Sequence, residues 1–533
     1  MLVLLFEVVI LGAIEQKKGC KPAIFGQHGG KDRNSVRCGK EFCGVFPDFA
    51  RCSLLFTFFS LPFRRNEVFL CRKKLNISIS YVRNLNINVD MKRIGFCCSM
   101  VAAVIMGCCA PAQAQITERQ RPAEWSNLVP GARFMDRFRP MEGSELRSDV
   151  WGADYVRPRL VDNGIEDKFW SYWGGNIVRG EDGAWHLFVA AWLEASEKGH
   201  MEWHDSWVVH ATAPTHHGPF RPKEIVGRGH NPEIYRTDDG TWVLYVIDGR
   251  YTSRHINGPW EKGTFDFDPQ GKPIIEGLSN LSFARRPEGG WLMVCRGGGI
   301  WTSDDGLTTW RQVSEGSVYP KVDGRFEDPV LWRDSVQYNL IVNDWLGRIA
   351  YYLRSADGLH WQVDDGEAYM PGIARHKDGS REEWFKYERM RILQDEHGRA
   401  IQANFAVIDT IKWDDKPLDR HSSKNICIPL DPGLLLTAQA KGKKMEVRIR
   451  AEEDFEPTRD LEVGSVQCGS PREVDYGRGA APVGQRTEGR DLILQFRIKD
   501  MKLTADDFAI KMLVRRKDGT TTFGFARRGE NDN

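Results

Sequence analysis

The sequence repeats one unit, a pair of short strands joined by a turn and introduced by polar side chains, at intervals of about 45 residues. The clearest copy runs from Gly229 to Tyr251, where GHNPEIY is followed by an Asp-Asp-Gly reversal and the apolar run WVLYV. Related copies begin at Gly174 (GGNIVRG) and at Phe326 (FEDPVLW). Strand-like runs joined by such turns are typical of β-hairpins. Between residues 163 and 420 we find no convincing amphipathic helix, so the sequence predicts an all-β fold.

Five such units fit between residues 163 and 420. The first two end on Gly-Pro-aromatic corners, HHGPF and NGPW, and the next two on SDDGLTTW and SADGLHW. A fifth unit runs from Tyr387 to Asp409. Five units of three or four strands are typical of a five-bladed β-propeller. We expect the turn residues and most tryptophans to build blades.

The pattern changes from about residue 425. The segments MEVRIRAEEDF and DLILQFRIKD alternate apolar and charged residues, and Asp518-Gly519 marks a hairpin turn. Such alternation favours a half-exposed antiparallel sheet. Residues 425–533 are therefore predicted to form a β-sandwich domain, joined at the Leu430–Gly433 turn, that braces the propeller or binds glycan; we favour bracing.

Residues 91–114, MKRIGFCCSMVAAVIMGCCAPAQA, have the layout of a secretory signal peptide. An internal signal peptide is implausible, so we expect Met91 to be the true start and residues 1–90 to be a spurious extension. A lipoprotein attached at Cys108 is the second choice, because its lipobox is imperfect. Residues 115–162 are expected to be an extended lead-in. The protein is thus predicted to be exported, to the periplasm or the extracellular space.

Charge and cysteine content are interpreted for the chain after residue 114. It keeps 58 of the 74 basic and 66 of the 73 acidic residues, a net charge of about −8. A mildly acidic chain without a basic run is a poor candidate for nucleic acid. No remaining segment is apolar enough to span a membrane. Only Cys295, Cys427 and Cys468 remain, which excludes a disulfide framework and a thiolate metal site but allows a Cys427–Cys468 bridge.

In a propeller the first strand of each blade lines the central channel, so the residues leading those strands are candidate site residues. They are Trp173, Asn176, His230, Asn231, Glu233, Asn280, Ser282, Glu327, Asp328, Glu388 and Arg389. Asn343 and Asp344 end a second strand, and His204 and Asp205 lie on a connection that could reach the rim. Carboxyl groups brought together from different blades are what glycosidic cleavage requires, one protonated and one ionised.

These repeats, with NPEIYRTDDGTWVLYV, FEDPVLW and the Gly-Pro-aromatic corners, resemble the five-bladed glycoside hydrolases, which include arabinanases, β-xylosidases, invertases and neoagarobiose hydrolases. The resemblance covers residues 160–415. It implies a base or nucleophile Asp in the first blade, a second Asp and a later acid Glu. The first blade reads Gly174-Gly175-Asn176 here, without a carboxylate. Asp328 and Glu233 match the Asp-Pro and Pro-acid positions of the family.

We therefore expect an exported glycoside hydrolase acting on plant or algal oligosaccharides, with Glu233 and Asp328 as principal carboxylates and Glu327 or His230 as their acid-base partner. The assignment requires Glu233 and Asp328 to face one open pocket. Arg296 and Arg389 could clamp a uronate or sulfate, or form ion pairs. Trp173 and Trp192 could stack on a sugar, although core packing is the default.

Two rival functions stay open. One is a uronate-directed lyase that uses His230 or His204 with an arginine, and the other is a non-catalytic glycan-binding propeller. His204 with His200 or Asp205 forms only a weak metal pattern, so we expect no metal. The chain after residue 114 has no P-loop, nucleophile elbow or dinucleotide fingerprint, and no cofactor is expected. The sequence does not predict the sugar, the linkage or the oligomeric state.

Overall fold

The structure is a computed structural model that describes residues 116–143, 145–151 and 155–529. They belong to one compact unit, Ala114–Asn533. The predicted extension (1–90) and signal peptide (91–114) lie outside the described residues. Within the described residues, no helix is long and apolar enough to cross a membrane.

The lead-in contains short ordered elements as well as extended chain. It forms two 3-10 helices, Ala123–Asn127 and Phe134–Arg137, and a two-stranded ribbon of β1 (Leu146–Arg147) and β2 (Arg159–Leu160). Trp125 and Phe134 bury their rings in hydrophobic clusters shared with the fourth sheet described below. The lead-in is thus packed onto the main body along its length.

Five sheets follow one another from Trp170 to Pro429. Their strands are, for the first sheet, β3 (Trp170–Arg179), β4 (Trp185–Leu193), β5 (Trp207–Ala213) and β6 (Arg221–Arg228); for the second, β7 (Glu233–Arg236), β8 (Trp242–Val246), β9 (Gly249–Ser253) and β10 (Glu261–Gly263). The third holds β11 (Asp266–Asp268), β12 (Ser282–Arg285), β13 (Trp291–Val294), β14 (Ile300–Ser303) and β15 (Thr309–Gln312). The fourth holds β16 (Phe326–Arg333), β17 (Tyr338–Asp344), β18 (Ile349–Ser355) and β19 (Gln362–Val363), and the fifth β20 (Lys386–Gln394), β21 (Ala400–Ile408) and β22 (Ser423–Pro429).

Each sheet is a meander of consecutive antiparallel strands, except that β11 pairs in parallel with β15. The hairpin predicted over Gly229–Tyr251 is present, with Glu233 opposite Tyr245 and Arg236 opposite Trp242. All five residues of β8 are buried, as expected for an apolar run packed on both faces. A 3-10 helix, Gly199–Asp205, connects β4 to β5.

The first strands of the sheets lie against one another. β3 contacts both β7 and β20, β16 contacts both β12 and β20, and side chains of β7 and β12 are hydrogen-bonded. The fifth sheet has three strands, and Ile165, just after the lead-in, adds two backbone hydrogen bonds to Asn425 at its outer edge. The chain before the first sheet is therefore tied to the last sheet.

The C-terminal region forms two further sheets around one apolar cluster that includes Met445, Phe496 and Met512. The strands are β23 (Leu436–Lys441), β24 (Lys444–Ile449), β26 (Gly484–Glu488) and β27 (Asp491–Arg497) in one sheet, and β25 (Gln467–Gly469), β28 (Ala509–Arg515) and β29 (Thr521–Arg527) in the other. Short helical segments between them are α1 (Pro457–Asp460), α2 (Pro471–Asp475) and the 3-10 turns Val463–Ser465 and Ile498–Asp500. The Asp518-Gly519 turn joins β28 to β29, as predicted.

The cysteine bridge that the sequence allowed does not form. Cys427 lies in β22 and Cys468 in β25, and both are buried free thiols, as is Cys295. Burial raises the pKa of Cys427 to about 12, so this thiol stays protonated and packs as a small apolar group.

Candidate functional site

One backbone feature recurs at the start of each first strand and sets the geometry of the site. A residue with positive φ, between +50° and +70°, lies in or just before the first strand of each of the five sheets. These residues are Gly174, Asn231, Asn280, Asp328 and Arg389. Glycine, asparagine and aspartate tolerate this conformation best, which explains four of the five. We call these five residues the middle layer.

The residues around them define two more layers. The residues immediately before form the mouth layer, which comprises Trp173, His230, Ser279, Glu327 and Glu388. The residues two positions after form the lower layer, which comprises Asn176, Glu233, Ser282, Val330 and Arg391. The three layers differ sharply in their hydrogen bonding.

The middle layer is a buried, hydrogen-bonded ring. Asn231 donates to Asn280 (2.6 Å), Asn280 donates to Asp328 (2.9 Å), and the Arg389 guanidinium donates to Asp328 (3.0 Å) and to the carbonyl of Asn231 (3.4 Å). A Cβ atom on Gly174 would meet the Arg389 side chain at 3.3 Å, so the arginine fills the place opposite the glycine. Asp328 and Arg389 are 2% and 1% exposed. This ring joins the first strands of the second to fifth sheets.

The lower layer is also linked internally by an ion pair and hydrogen bonds. Glu233 pairs with Arg391 (2.8 Å), and its other oxygen accepts hydrogen bonds from Ser282 (3.3 Å) and the amide of Phe283 (3.1 Å). Burial raises the pKa of Glu233, and the Arg391 guanidinium opposes the shift. The amide of Asn176 bonds both the N–H (2.7 Å) and the carbonyl (2.8 Å) of Ile234 and so joins the first two sheets.

The expectation that Glu233 and Asp328 face one open pocket is not met. Each is buried and paired with an arginine, Arg391 and Arg389 respectively. Neither residue lines the small pocket beside Glu388, and each forms a structural ion pair. Arg389, considered above as a uronate clamp, is committed to Asp328, and Asn231 and Asn280 belong to the same ring.

The mouth layer holds a carboxyl group in a different state. The side chain of Glu327 is 30% exposed, and its nearest cation is Arg296 at 3.7 Å. Burial, and then the charge of Asp328, raises the pKa of Glu327 to about 7, although Lys412 and Arg296 act against the rise. A pKa raised this far leaves part of Glu327 protonated at neutral pH, and the protonated form is the one from which a general acid donates.

The neighbouring carboxyl group of the mouth layer is held ionised. Glu388 is 2% exposed and pairs with Lys386 (3.0 Å) through one oxygen and with Lys412 through the other. Burial alone would raise the pKa of Glu388, but the two ammonium groups outweigh it and hold the pKa at about 2. Glu327 and Glu388 thus occupy equivalent positions on adjacent sheets and differ in protonation state.

His230 supplies a neutral imidazole to the same layer. Ser206 donates its one hydroxyl proton to the carbonyl of Gly229 (2.9 Å), so the 3.0 Å contact with His230 requires Nδ1 of the histidine to be the donor. Its Nε2 then carries a lone pair. Burial, followed by the charges of Arg389 and Lys412, lowers the pKa of His230 well below its usual range.

The aromatic candidates divide into core and rim. Trp173 and Trp192 are each 2% exposed and pack edge-on against His200, whose Nδ1 lies 2.8 Å from Ser423. They are core residues. His204 is exposed and stacks on Trp203 at 3.6 Å, so this pair forms an accessible aromatic surface near His230.

The remaining predicted residues are placed as follows. Asp205 is exposed and pairs with Lys198 (3.3 Å). Asp344 is fully buried, where it binds Arg119 (2.8 Å) and fixes the loop after its strand. Asn343 lies opposite Glu327 in the sheet and is 2% exposed. Within the described residues no group of histidine, cysteine or acidic side chains has the arrangement of a metal site.

Several residues at the mouth were missed from the sequence. Lys386 precedes Glu388 by two positions on β20, and this spacing could have signalled the pair because alternate residues of a strand share a face. Lys412 follows the fifth unit, and Tyr369 and Trp345 lie in connections. Nothing in their local sequence indicates that they approach Glu388. Tyr369 and Trp345 line one small pocket with Glu388, and Lys412 pairs with its second oxygen.

Comparisons with known proteins find likeness only at the level of structure. No family model matches the sequence, and no curated protein matches it. Three of the similar solved structures are an α-L-arabinofuranosidase from Lactobacillus brevis (11% identity, 49% of this chain and 91% of that chain, TM-score 0.34), a family 117 glycoside hydrolase from Zobellia galactanivorans (10%, 55% and 89%, 0.36) and a xylan β-1,4-xylosidase from Bacillus halodurans (13%, 70% and 89%, 0.34).

All three are glycoside hydrolases, the group that the sequence motifs resemble. At these identities and TM-scores their reactions do not transfer to this chain, so the chemistry of the site is argued from its own residues. The chain is similar to glycoside hydrolases and divergent from each of these three.

Proposed function

We propose that the protein is a glycoside hydrolase built on a five-bladed β-propeller. One observation supports this most strongly. Two carboxyl groups at equivalent positions of adjacent sheets have their pKa values separated, with Glu327 at about 7 and Glu388 at about 2. One protonated and one ionised carboxyl group at a common mouth is the requirement for glycosidic cleavage.

The proposed roles follow from these protonation states. Glu327 donates its proton to the leaving oxygen, and its partial exposure gives substrate access. Glu388, ionised throughout the working range, lines the small pocket and stabilises positive charge at the anomeric carbon without attacking it, since both of its oxygens are held by lysines. A carboxylate with so low a pKa is a weak base, so deprotonation of water is the less suitable role for Glu388. His230 accepts a hydrogen bond from a sugar hydroxyl through Nε2.

We propose the domain layout predicted from the sequence: an exported chain with a signal peptide at 91–114, a lead-in at 115–162, the propeller predicted at 163–420 and the β-sandwich predicted at 425–533. The boundary between the last two moves to the Leu430–Gly433 turn, because β22 completes the fifth sheet. A bracing role for the sandwich is supported by the ion pair of Arg399 in the β20–β21 turn with Glu452, and by that of Arg516 with Asp431 of the joining turn (3.0 Å). Arg137 of the lead-in also donates to the carbonyl of Asp431 (2.9 Å).

A lyase acting on uronates is the second candidate. The neutral His230, with a lone pair on Nε2, is a suitable base for removing the proton next to a carboxylate, and the nearby Arg389 and Lys412 disfavour its protonation. This reaction would leave a C4–C5 double bond that absorbs in the ultraviolet. Release of reducing sugar without such absorbance would exclude it.

The test is turnover of aryl glycosides by the purified protein. The first substrates are those of the structural neighbours, α-L-arabinofuranosides, β-xylosides and β-galactosides, followed by uronides. We expect Glu388→Gln to reduce turnover by about 100-fold or more on the active substrate. Glu396→Gln is the matched control, since Glu396 is 82% exposed at the β20–β21 turn, and should leave turnover unchanged.

Two outcomes would contradict the proposal. If Glu388→Gln turns over like the parent protein, the carboxylate is not part of the machinery. If oligosaccharides bind without cleavage across the whole panel, the protein is a glycan-binding propeller.

A further inference from the structure

Two buried histidines of the first sheet lie at the centre of a chain of polar contacts that the proposed reaction does not use. His186 on β4 and His210 on β5 are both 0% exposed. Nδ1 of His186 lies 2.7 Å from Nε2 of His210. The other nitrogen of each ring contacts a carboxylate at 2.9 Å: His186 contacts Asp182 in the β3–β4 turn, and His210 contacts Glu224 on β6. The contacts thus connect the turn, β4, β5 and the edge strand β6.

The contact between the two rings has the geometry of a hydrogen bond and not of stacking. The ring centroids are 5.0 Å apart and the ring planes differ by 23°. With the nitrogens 2.7 Å apart, this centroid distance is nearly the largest that the rings allow, so the nitrogens meet head-on and close to both ring planes. The lone pair of one nitrogen, which lies in its ring plane, therefore points at the other nitrogen. Phe188 stacks on the face of His210 (4.4 Å between centroids) and holds this orientation.

The three contacts need one proton more than the side chains carry in their ordinary states. Each contact is favourable only with a proton between its two atoms, because facing lone pairs repel. A neutral imidazole carries one N–H proton, so the two rings supply two, and an ionised carboxylate supplies none. The bonds from His186 and then from Asn257 hold the pKa of Asp182 well below its usual range, so Asp182 stays ionised. The third proton must come from solution, and the imidazoles, which are more basic than carboxylates, hold it.

The edge strand β6 is held by this chain where its backbone pairing is irregular. Most of its side chains are exposed, and Pro222 has no N–H to donate. The register with β5 shifts on both sides of the segment that pairs Val209 with Ile225 and His210 with Glu224. Hydrogen bonds through His210 and Glu224 therefore supplement an interrupted backbone ladder.

We propose that His186 and His210 form an acid-responsive site of the first sheet. The pair takes up one proton from solution and shares it between its rings, and this proton completes the chain of hydrogen bonds from the β3–β4 turn to β6. Without it, two lone pairs face each other at the centre of the chain. Buried neutral histidines usually become charged only when the protein unfolds, whereas this pair accepts one proton in place, between two carboxylates. The site is independent of the proposed glycoside hydrolysis.

The groups around the pair set the pH range. Burial lowers the pKa of His210 from its usual value of 6.5, and the hydrogen bond to Glu224 acts against the fall. Uptake is therefore expected as the pH falls below 6.5. The charge of Lys223 disfavours the proton, whereas the carboxylates at the two ends of the chain favour it. Two further titratable groups on the adjoining elements are Glu181 in the β3–β4 turn and His255 between β9 and β10, which lie 3.8 Å from each other.

The number of protons on the pair tests the site directly. The full chain is labelled with 15N in histidine, and the protonation of the four ring nitrogens of His186 and His210 is followed by NMR from pH 8 to pH 5. We expect two protonated nitrogens at pH 8 and three at pH 5. Two protonated nitrogens at both pH values, or four at pH 5, would overturn the inference.

Glu224→Gln supplies the third proton from the protein itself. The glutamine amide can donate to Nδ1 of His210, which lets His210 donate to His186 and His186 donate to Asp182 with both rings neutral. We expect this variant to keep two protonated ring nitrogens from pH 8 to pH 5. Because its native state takes up no proton where the parent takes up one, its unfolding constant relative to that of the parent should rise about tenfold per pH unit below the midpoint of uptake.

Urea unfolding at each pH measures this ratio. Glu396→Gln, on the exposed β20–β21 turn, is the matched control and should follow the parent protein in both measurements. A Glu224→Gln protein that takes up a proton like its parent, or a ratio of unfolding constants that does not change with pH, would also overturn the inference. If Glu224→Gln fails to fold, the proton count on the parent protein still decides.

Discussion

Two pairs of acidic residues lie within two positions of a middle-layer residue and have opposite environments. Glu233 and Asp328 belong to the lower and middle layers, where each is buried against an arginine. Glu327 and Glu388 lie in the layer above, one partly exposed with a raised pKa and one held ionised by two lysines. The largest difference in exposure is between two residues adjacent in sequence, Asp328 (2% exposed) and Glu327 (30% exposed).

The difference shows how these five sheets separate supporting side chains from those proposed to carry the chemistry. A left-handed residue turns the chain at the start of each first strand, so consecutive side chains enter different layers. Side chains of the middle layer neutralise one another and hold the sheets together. Side chains of the mouth layer keep unbalanced charge, and perturbed pKa values at such places mark candidate functional residues.

The largest expected effect would test the supporting role of the buried pair. Glu233→Gln leaves the Arg391 guanidinium, 2% exposed, without a counter-charge. Breaking a buried ion pair in this way costs about 3–5 kcal/mol, so we expect a loss of that size in the free energy of unfolding, measured by urea denaturation. Glu396→Gln, on the exposed turn, should change it by less than about 0.5 kcal/mol. A Glu233→Gln protein as stable as its parent would contradict the supporting role of the Glu233–Arg391 pair.

The pH dependence of turnover tests the protonation states of the two mouth-layer carboxyl groups. Only protonated Glu327 can donate, and its pKa is about 7, so kcat/KM on the active glycoside should fall about tenfold per pH unit above 7. Glu388, with its pKa at about 2, should give no acid limb between pH 4 and 6. Because Arg296 lowers the pKa of Glu327, Arg296→Gln should move the alkaline limb to higher pH. A profile flat from pH 6 to 9 would contradict this role for Glu327.

A smaller effect tests the packing of the ring. Gly174 and Gly183 both have positive φ, +70° and +80°, but only Gly174 has the Arg389 side chain within 4 Å of where a Cβ would lie. Alanine at either site should cost about 1–2 kcal/mol through the backbone. Gly174→Ala should cost about 1 kcal/mol more through overpacking. Equal losses in thermal or urea unfolding would show that Arg389 does not fill the channel.

Local sequence patterns were sufficient for the strands and much of their order. Asp-Gly turns and apolar runs located the Gly229–Tyr251 hairpin and the β28–β29 hairpin, since these depend on adjacent residues. The same reasoning selected Glu327 and Glu388 as leading residues of first strands.

Local sequence patterns could not show which of Glu327 and Asp328 lies at the mouth and which is buried. That difference depends on a backbone turn and on Arg389, which is 61 residues from Asp328 in the sequence. The second lysine on Glu388 comes from the segment after the fifth unit, and its approach depends on tertiary packing. The three layers are defined by the positive-φ residue of each first strand, and the sequence alone does not reveal these backbone angles.

The most direct test of the account compares Glu327→Gln with Asp328→Asn, measuring urea unfolding and glycoside turnover on the same preparations. We predict that Glu327→Gln keeps the unfolding free energy within about 1 kcal/mol and loses about 100- to 10,000-fold in turnover. Asp328→Asn should lose about 3–5 kcal/mol of stability, because Arg389 is left without its counter-charge. Normal turnover in Glu327→Gln, together with a stable but inactive Asp328→Asn, would contradict the account.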